Sequence, residues 1–372
     1  MKICVLTLPL HVNYGGILQA YALQKVLEHE GHSVQVISKK RQQQITLKTI
    51  FLSYPKRLLK KILGKPSVIF YERKMNREYS QMSVNVDSFI QTYLKLDRRP
   101  LCDIQKNDYD AFVVGSDQIW RPKYIRQAFG DCVDNAFLGF AKKWNVKRMS
   151  YAASFGTDVW EYSNDETERI LRLIKKFRAL SVRECSAIAL CKKYLDADVK
   201  VVLDPTLLLS KDDYLPLVRN VPVCKGTLFN YILDLTPEKD DLIERISKDK
   251  SIKPYRVGAR IDDWDRPVEE RVQPPVEKWL AAFRDAEFVV TDSFHACVFS
   301  IIFGKPFIAI GNAQRGLSRF ESLLKTFNLE KNLICSPEEY DSEKDYSIPA
   351  MSFDILKKLQ QDSMDYLRGA LT

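Results

Sequence analysis

A chain of 372 residues exceeds one ordinary domain, and roughly 150 residues per domain suggests two or three. Its 45% apolar content supplies sizeable cores and excludes a disordered or fibrous chain. Lys+Arg 57 against Asp+Glu 48 leaves +9, an excess whose meaning depends on where it sits.

The opening MKICVLTLPL is a short apolar run broken by Pro9, without the apolar length or cleavage site of a signal peptide. No stretch approaches roughly 18 uncharged apolar residues, so a soluble cytoplasmic protein is expected. Residues 2–8 read as a buried strand, 16–30 carry apolar residues at helical spacing, and 33–38 read as a second strand. Between them stands Asn13-Tyr14-Gly15-Gly16, where two glycines allow close ligand approach and a helix N-terminus offers N–H groups to an anion. A plain strand-to-helix turn is the other reading. The pattern is not GxGxxG, and no acidic residue ends the second strand to hold a ribose.

From Lys39 to Tyr71 there is no acidic residue, while Lys39, Lys40, Arg41, Lys48, Lys56, Arg57, Lys60, Lys61 and Lys65 are basic. Ile50, Phe51, Leu52, Leu58, Leu59, Ile62 and Leu63 are interleaved with them. This insertion, about 39–77, is either an interfacial segment on an anionic membrane surface or a helical excursion whose apolar face covers the domain. No nucleic-acid motif accompanies the charge.

Residues 111–114, 148–153, 180–182 and 200–203 are further short apolar strands, with helical stretches over 165–177 and 184–194 between the later ones. Strands alternating with helices imply parallel sheets covered on both faces, which bind ligands beyond the strands' carboxyl ends. Gly115-Ser116-Asp117-Gln118-Ile119-Trp120 follows one strand and reads as cleft polar groups or as a helix cap. Ser181-Val182-Arg183-Glu184 follows another, and Arg183 either meets a phosphate or carboxylate or pairs with Glu184. A polar stretch with Pro216 and Pro222 follows Asp204-Pro205, and the alternation then restarts over 226–233, 237–250, 255–257 and 276–284. Thr291-Asp292-Ser293-Phe294-His295 follows the next apolar strand, and an anion beside His295 makes it a credible general acid; the alternative is a packed imidazole in a cap. Arg315 and Arg319 come soon after, and 352–367 is an amphipathic helix.

The expected organisation is therefore an α/β domain over 1–206, a second over 207–340 and a C-terminal helix over 341–372. No CxxC occurs, and several of the eight cysteines sit in apolar runs, so buried reduced thiols are expected.

Taken in order, these segments resemble the polysaccharide pyruvyl transferase family. The matching residues are Asn13-Tyr14-Gly15-Gly16 with Gln19-Ala20, Val114 through Trp120, and Tyr151-Ala152-Ala153-Ser154-Phe155-Gly156. Ser181-Val182-Arg183-Glu184, Leu203-Asp204-Pro205-Thr206-Leu207-Leu208 and Thr291 through His295 complete the set. The resemblance spans roughly residues 1–330 and implies two Rossmann-like domains facing a cleft, as in GT-B glycosyltransferases, with the C-terminal helix packing back on the first. It implies transfer of pyruvate from phosphoenolpyruvate to a sugar diol as a cyclic ketal, in exopolysaccharide or capsule synthesis.

Arg183 matches the Arg of the family's Ser-x-Arg-Glu motif and His295 the His of its second-domain motif. Some members read Ser-Arg-Leu-His there, whereas this chain has Ser293 at the Arg position, and Ala296 stands where Gly often follows the His. Arg315 or Arg319 would then supply the missing cation. The resemblance makes His295 the acid and Asp117 the base. Substrate contacts fall to Asn13, Tyr14, Gly15, Gly16, Gln19, Ser116, Gln118, Ser154, Arg183, Asp292, Ser293, Arg315 and Arg319. No metal and no cofactor beyond the donor phosphoenolpyruvate is expected. The saccharide acceptor is lipid-linked if the basic insertion meets the inner membrane face, and Trp120, Tyr124, Trp160 and Trp264 are candidates to stack on its rings. The rival readings are a glycosyltransferase using a nucleotide sugar and a non-catalytic carbohydrate-binding protein.

Overall fold

The computed structural model describes residues 1–38, 45–65, 67–130, 132–311 and 317–372. Five parallel strands form the first sheet: β1 (Lys2–Leu6), β2 (Ser33–Ile37), β3 (Leu96–Asp97), β4 (Ala111–Val114) and β5 (Lys147–Ser150), in the order β3-β2-β1-β4-β5. A parallel pair, β6 (Ser181–Val182) and β7 (Lys200–Val201), continues beyond β5 through bridges from Met149 to Ala179 and from Ala153 to Val182. The second sheet has β8 (Leu228–Tyr231), β9 (Pro254–Arg256), β10 (Phe288–Thr291), β11 (Phe307–Ile310) and β12 (Leu333–Ile334), ordered β12-β11-β10-β8-β9 and again parallel.

Ile3, Cys4, Val5 and Leu6 in β1 and all of Ala111–Val114 in β4 are fully buried, because helices cover both faces of each sheet. The central strands therefore read as unbroken apolar runs. This is the two-lobed α/β architecture expected. The helix Ala350–Leu371 returns to the first lobe, where the Tyr366 hydroxyl donates to Ser150 O at 2.9 Å and Gln360 Nε2 to Leu207 O. Of the strand expected over 148–153, the regular ladder ends at Ser150, since Ala152 turns with φ 48°, and Ala153 pairs again only as a single bridge to Val182.

Two expectations need correction. Cys4, Cys191 and Cys297 are buried, but Cys102, Cys132, Cys185 and Cys335 are exposed, and all eight are free thiols. The exposed four lie at turns and helix ends rather than in strand interiors, so they lack the covering layer that buries the others. In the insertion, Lys39, Lys40 and Arg41 lie outside the described residues. Beyond them come a π-helical turn Thr49–Ser53 and helices Tyr54–Ile62, Tyr71–Met82 and Val84–Tyr93. The apolar side chains of the first helix do not cover the domain: Leu58, Leu59 and Ile62 are exposed. Among the described residues no helix is long and apolar enough to cross a membrane.

Candidate functional site

Because all strands of a sheet run the same way, the loops after β1, β4, β5, β6 and β7 gather at one edge. The loop after β1 reaches the helix Tyr14–His29, capped by Asn13, whose Oδ1 accepts from Gly16 N at 3.4 Å. Gly15 is one place where the lobes touch. A Cβ on it would lie 2.2 Å from Cγ and Nδ1 of His295, so only glycine lets the imidazole lie against this backbone. Tyr14 enters the second lobe: its ring stacks on Trp279 with centroids 5.4 Å apart, and its hydroxyl donates to Pro274 O at 2.8 Å. It is a wedge between lobes and not the ligand contact expected.

Gln19 is also structural. Its Nε2 donates to Thr7 Oγ1 and Gly16 O, and its Oε1 accepts from Ser116 N, each at 2.9 Å, which ties the loops after β1 and β4 together. Ser116 Oγ donates to Ala152 O at 2.9 Å and stands 3.5 Å from Asp204 Oδ2. Asp117 adopts φ 58°, a left-handed conformation that Asp tolerates, and its Oδ1 lies 3.5 Å from Arg183 Nη2. Gln118 Oε1 accepts from Arg121, and Ser154 Oγ donates to Glu184 Oε1 at 2.9 Å.

Arg183, after β6, is the centre of the cluster. Its Nη1 donates to Asp204 Oδ2 at 2.7 Å, and its guanidinium lies over the Phe294 ring, 4.4 Å from the centroid. The expected alternative partner, Glu184, sits 4.0 Å from Nε and instead accepts Ser154 Oγ, Phe155 N and Gly156 N on its Oε1. Burial works against the charged guanidinium, yet Asp204, Asp117 and Glu184 together raise its pKa. Asp204 was not among the expected site residues, and it joins the two lobes. Its Oδ1 accepts Thr206 N and Oγ1, and its Oδ2 lies 3.7 Å from His295 Nε2, beyond hydrogen-bond range. Burial alone pushes this carboxyl up; His295, Arg183 and Thr206 outweigh it and hold the group well below the usual carboxylate range.

His295 occupies the first turn of the helix Phe294–Phe303, whose N-cap Ser293 makes no side-chain cap bond. Asp292 is a correction. It is buried, Oδ1 accepts from Leu233 N, and Oδ2 accepts from Asp234 N and Lys239 Nζ, so it shapes the second lobe's loops and is sealed from a ligand. Arg319 lies over Phe294 at 5.6 Å on the helix Leu317–Thr326. Burial, then repulsion from Arg183, pushes its guanidinium down to about 10. Arg315 lies outside the described residues.

Four buried polar atoms in this cluster make no hydrogen bond: Arg183 Nε and Nη2, Glu184 Oε2 and His295 Nε2. Buried donors left open are uncommon in native proteins and mark a place for a ligand or water. A cavity of about 190 Å³ is walled by Arg183, Glu184, Asp204, Phe294 and Arg319 beside Leu207 and Phe327; His295 does not line it. Among the described residues no three His, Cys, Asp or Glu side chains are grouped to hold a metal ion. Trp120, fully buried, stacks on Phe137, Trp160 stacks on Tyr194, and Trp264 packs against Tyr71 and Arg271. These rings are engaged within the protein.

The family model described as polysaccharide pyruvyl transferase matches residues 13–314 of the chain. No curated protein matches the sequence. Among solved structures, a Staphylococcus aureus MnaA–UDP co-structure is 11% identical, covers 99% of this chain and 88% of its own, and has a TM-score of 0.44. The UDP-GlcNAc 2-epimerase of Methanocaldococcus jannaschii is 12% identical over 98% and 93%, with a TM-score of 0.44. Arabidopsis thaliana UGT89C1 complexed with UDP is 11% identical over 98% and 95%, with a TM-score of 0.46. Similarity at that level says nothing about ligand or activity.

Proposed function

The chain belongs to the polysaccharide pyruvyl transferase family, and on that premise we propose that it transfers pyruvate from phosphoenolpyruvate to a saccharide diol, forming a cyclic ketal. The observation that carries this reading is the Nε–Nη2 edge of Arg183, buried beside His295. It makes no hydrogen bond and meets Asp117 and Glu184 only in ion pairs of 3.5 and 4.0 Å. That edge is a planar fork suited to a carboxylate or phosphate taken bidentately. Arg319, on the same aromatic ring, supplies the second cation that Ser293 does not.

Charge decides the protonation state in which the donor binds. Arg183 and Arg319 face the carboxylates of Asp117, Glu184 and Asp204, so two positive charges meet three negative ones. A multiply ionised enol ester entering this cluster binds best with His295 protonated, and that proton is the one the reaction needs. His295 gives it to the methylene carbon, leaving a cationic C2. A sugar hydroxyl adds to C2 and loses its proton to Asp117. Phosphate departs with the C–O bonding pair, leaving C2 cationic again, and a second hydroxyl closes the ring and returns its proton to His295. Asp204 touches neither substrate in this scheme. It orients Arg183 and offsets positive charge on His295.

The test is thermal unfolding with phosphoenolpyruvate, inorganic phosphate, UDP and UDP-sugars in separate arms. Saturating phosphoenolpyruvate, at about 100 times its Kd, should add about 2.7 kcal/mol of stability. Arg183→Gln should remove that response. Stabilisation by UDP-sugars with none from phosphoenolpyruvate would replace this reading with a nucleotide-sugar transferase; response to saccharide alone would leave a binding protein.

A further inference from the structure

The function above leaves the basic insertion unused. Its first helix, Tyr54–Ile62, is fixed to the body by one face only. Tyr54 is buried with its ring edge-on to Phe70, and Arg57 grips Glu72 with Nη1 and Nη2 at 2.7 and 2.8 Å. Its apolar side is open: Leu58, Leu59, Ile62 and Leu63 are 46% to 71% exposed, and Leu47, Phe51 and Leu52, just before the helix, are 61% to 73% exposed. Leu58, Leu59, Ile62 and Leu63 recur at i, i+1, i+4 and i+5, which puts them along one strip of the helix. Lys56, Lys60, Lys61 and Lys65 are exposed alongside, and no Asp or Glu occurs from Lys39 to Tyr71.

We propose that this strip is a peripheral contact with an anionic bilayer surface, its leucine, isoleucine and phenylalanine side chains entering the boundary below the headgroups while the lysines meet lipid phosphates. An apolar strip edged by lysine on a helix of low overall hydrophobicity suits that boundary. A second copy of the chain is a poorer occupant, because an isologous contact would oppose the same four lysines to one another. The next helix, Tyr71–Met82, packs Met75, Tyr79 and Met82 near Val12, Ile261, Trp264 and Val268. Val12 adjoins Asn13, so the bound strip would hold the loop after β1 near the membrane. Delivery of a lipid-linked saccharide to that loop rests on the function proposed above; the membrane contact does not.

The test is sedimentation of the full chain with vesicles of phosphatidylcholine containing about 30% phosphatidylglycerol, without any substrate. The chain should pellet with these vesicles, less with phosphatidylcholine alone, and less at roughly 0.5 M salt. Replacing Lys60 and Lys61 by Ala should weaken binding by about fivefold per lysine. The double variant Leu58→Glu, Ile62→Glu should abolish pelleting with an unchanged melting temperature, since both side chains are exposed. Failure to pellet with anionic vesicles, or undiminished pelleting of the double variant, overturns the proposal. So does a concentration-dependent dimer that the double variant loses, or binding to an acidic polypeptide in place of vesicles. A missing response to phosphoenolpyruvate in thermal unfolding would leave the membrane contact standing, and the reverse holds equally.

Discussion

Asp204 is the counter-ion of a guanidinium that is itself almost entirely enclosed, so its removal is felt first through Arg183. Asp204→Asn leaves that charge buried without its closest partner and should cost about 3–5 kcal/mol in urea unfolding at neutral pH. The folded carboxyl titrates below its unfolded value of about 3.9, so its contribution is fully present above that pH and is lost as pH falls toward the lower folded value. The difference between wild type and Asp204→Asn should therefore narrow below about pH 4; a constant difference would mean the charge is not what stabilises. His295 is exposed to a different test. His295→Gln keeps a polar ring-sized group against Gly15 but cannot deliver the proton, so phosphate release should fall by about 10²–10⁴ while phosphoenolpyruvate still raises the melting temperature. Loss of both readouts would make it a binding residue instead. Arg183, His295 and Gly15 are legible in the sequence because each stands just beyond an apolar strand with a residue type suited to an anion. Asp204 is not, since Asp-Pro after a strand reads as a turn and its partners come from other strands. Asp292 misleads for the converse reason: a carboxylate after a strand looks like a ligand contact, and only the fold brings Lys239 and the Leu233 and Asp234 N–H groups to seal it.

The longer strands announce themselves because both faces are covered, and the two-residue β6 and β7 because they sit in longer apolar runs; β3 and β12, equally short, have charged or polar neighbours that break the pattern. The same limit applies to the helices Tyr71–Met82 and Val84–Tyr93, whose spacing is obscured by the charged tract before them. The C-terminal helix is legible as an amphipathic segment, but its target is not, because a 3.6-residue period names an inward face and not a neighbour. It runs over Ala350–Leu371, longer than the expected 352–367, and buries Leu367, Ala370 and Leu371 in the core shared with Tyr151 and Leu207. Leu367→Ala should cost about 2–5 kcal/mol, read as a lower urea midpoint with an unchanged slope. A cost within about 0.5 kcal/mol would place this helix among loosely docked surface elements.

At the scale of the whole molecule the two lobes share one interior, although each also keeps a core of its own on the other face of its sheet. One continuous apolar cluster takes in Ile3 and Val5 of β1, Val289 of β10, Trp279 and Phe299 of the second lobe and Leu371 of the final helix. Domains that meet through small polar interfaces move and unfold independently; lobes that share a core do not. Tyr14 is central to this sharing, since its ring is buried against Trp279 and Tyr231 while its backbone starts the helix whose first turn, at Gly15, lies against His295. Calorimetry of the wild type should therefore give one transition, with calorimetric and van't Hoff enthalpies equal. Tyr14→Ala removes the wedge and leaves a cavity, so it should lower stability by about 3–5 kcal/mol and split the transition into two as the lobes uncouple. A wild-type trace already resolved into two transitions would show that the lobes are joined by the chain and not by the core. The registration of Gly15 on His295 would then have to be imposed by the substrate rather than by the fold.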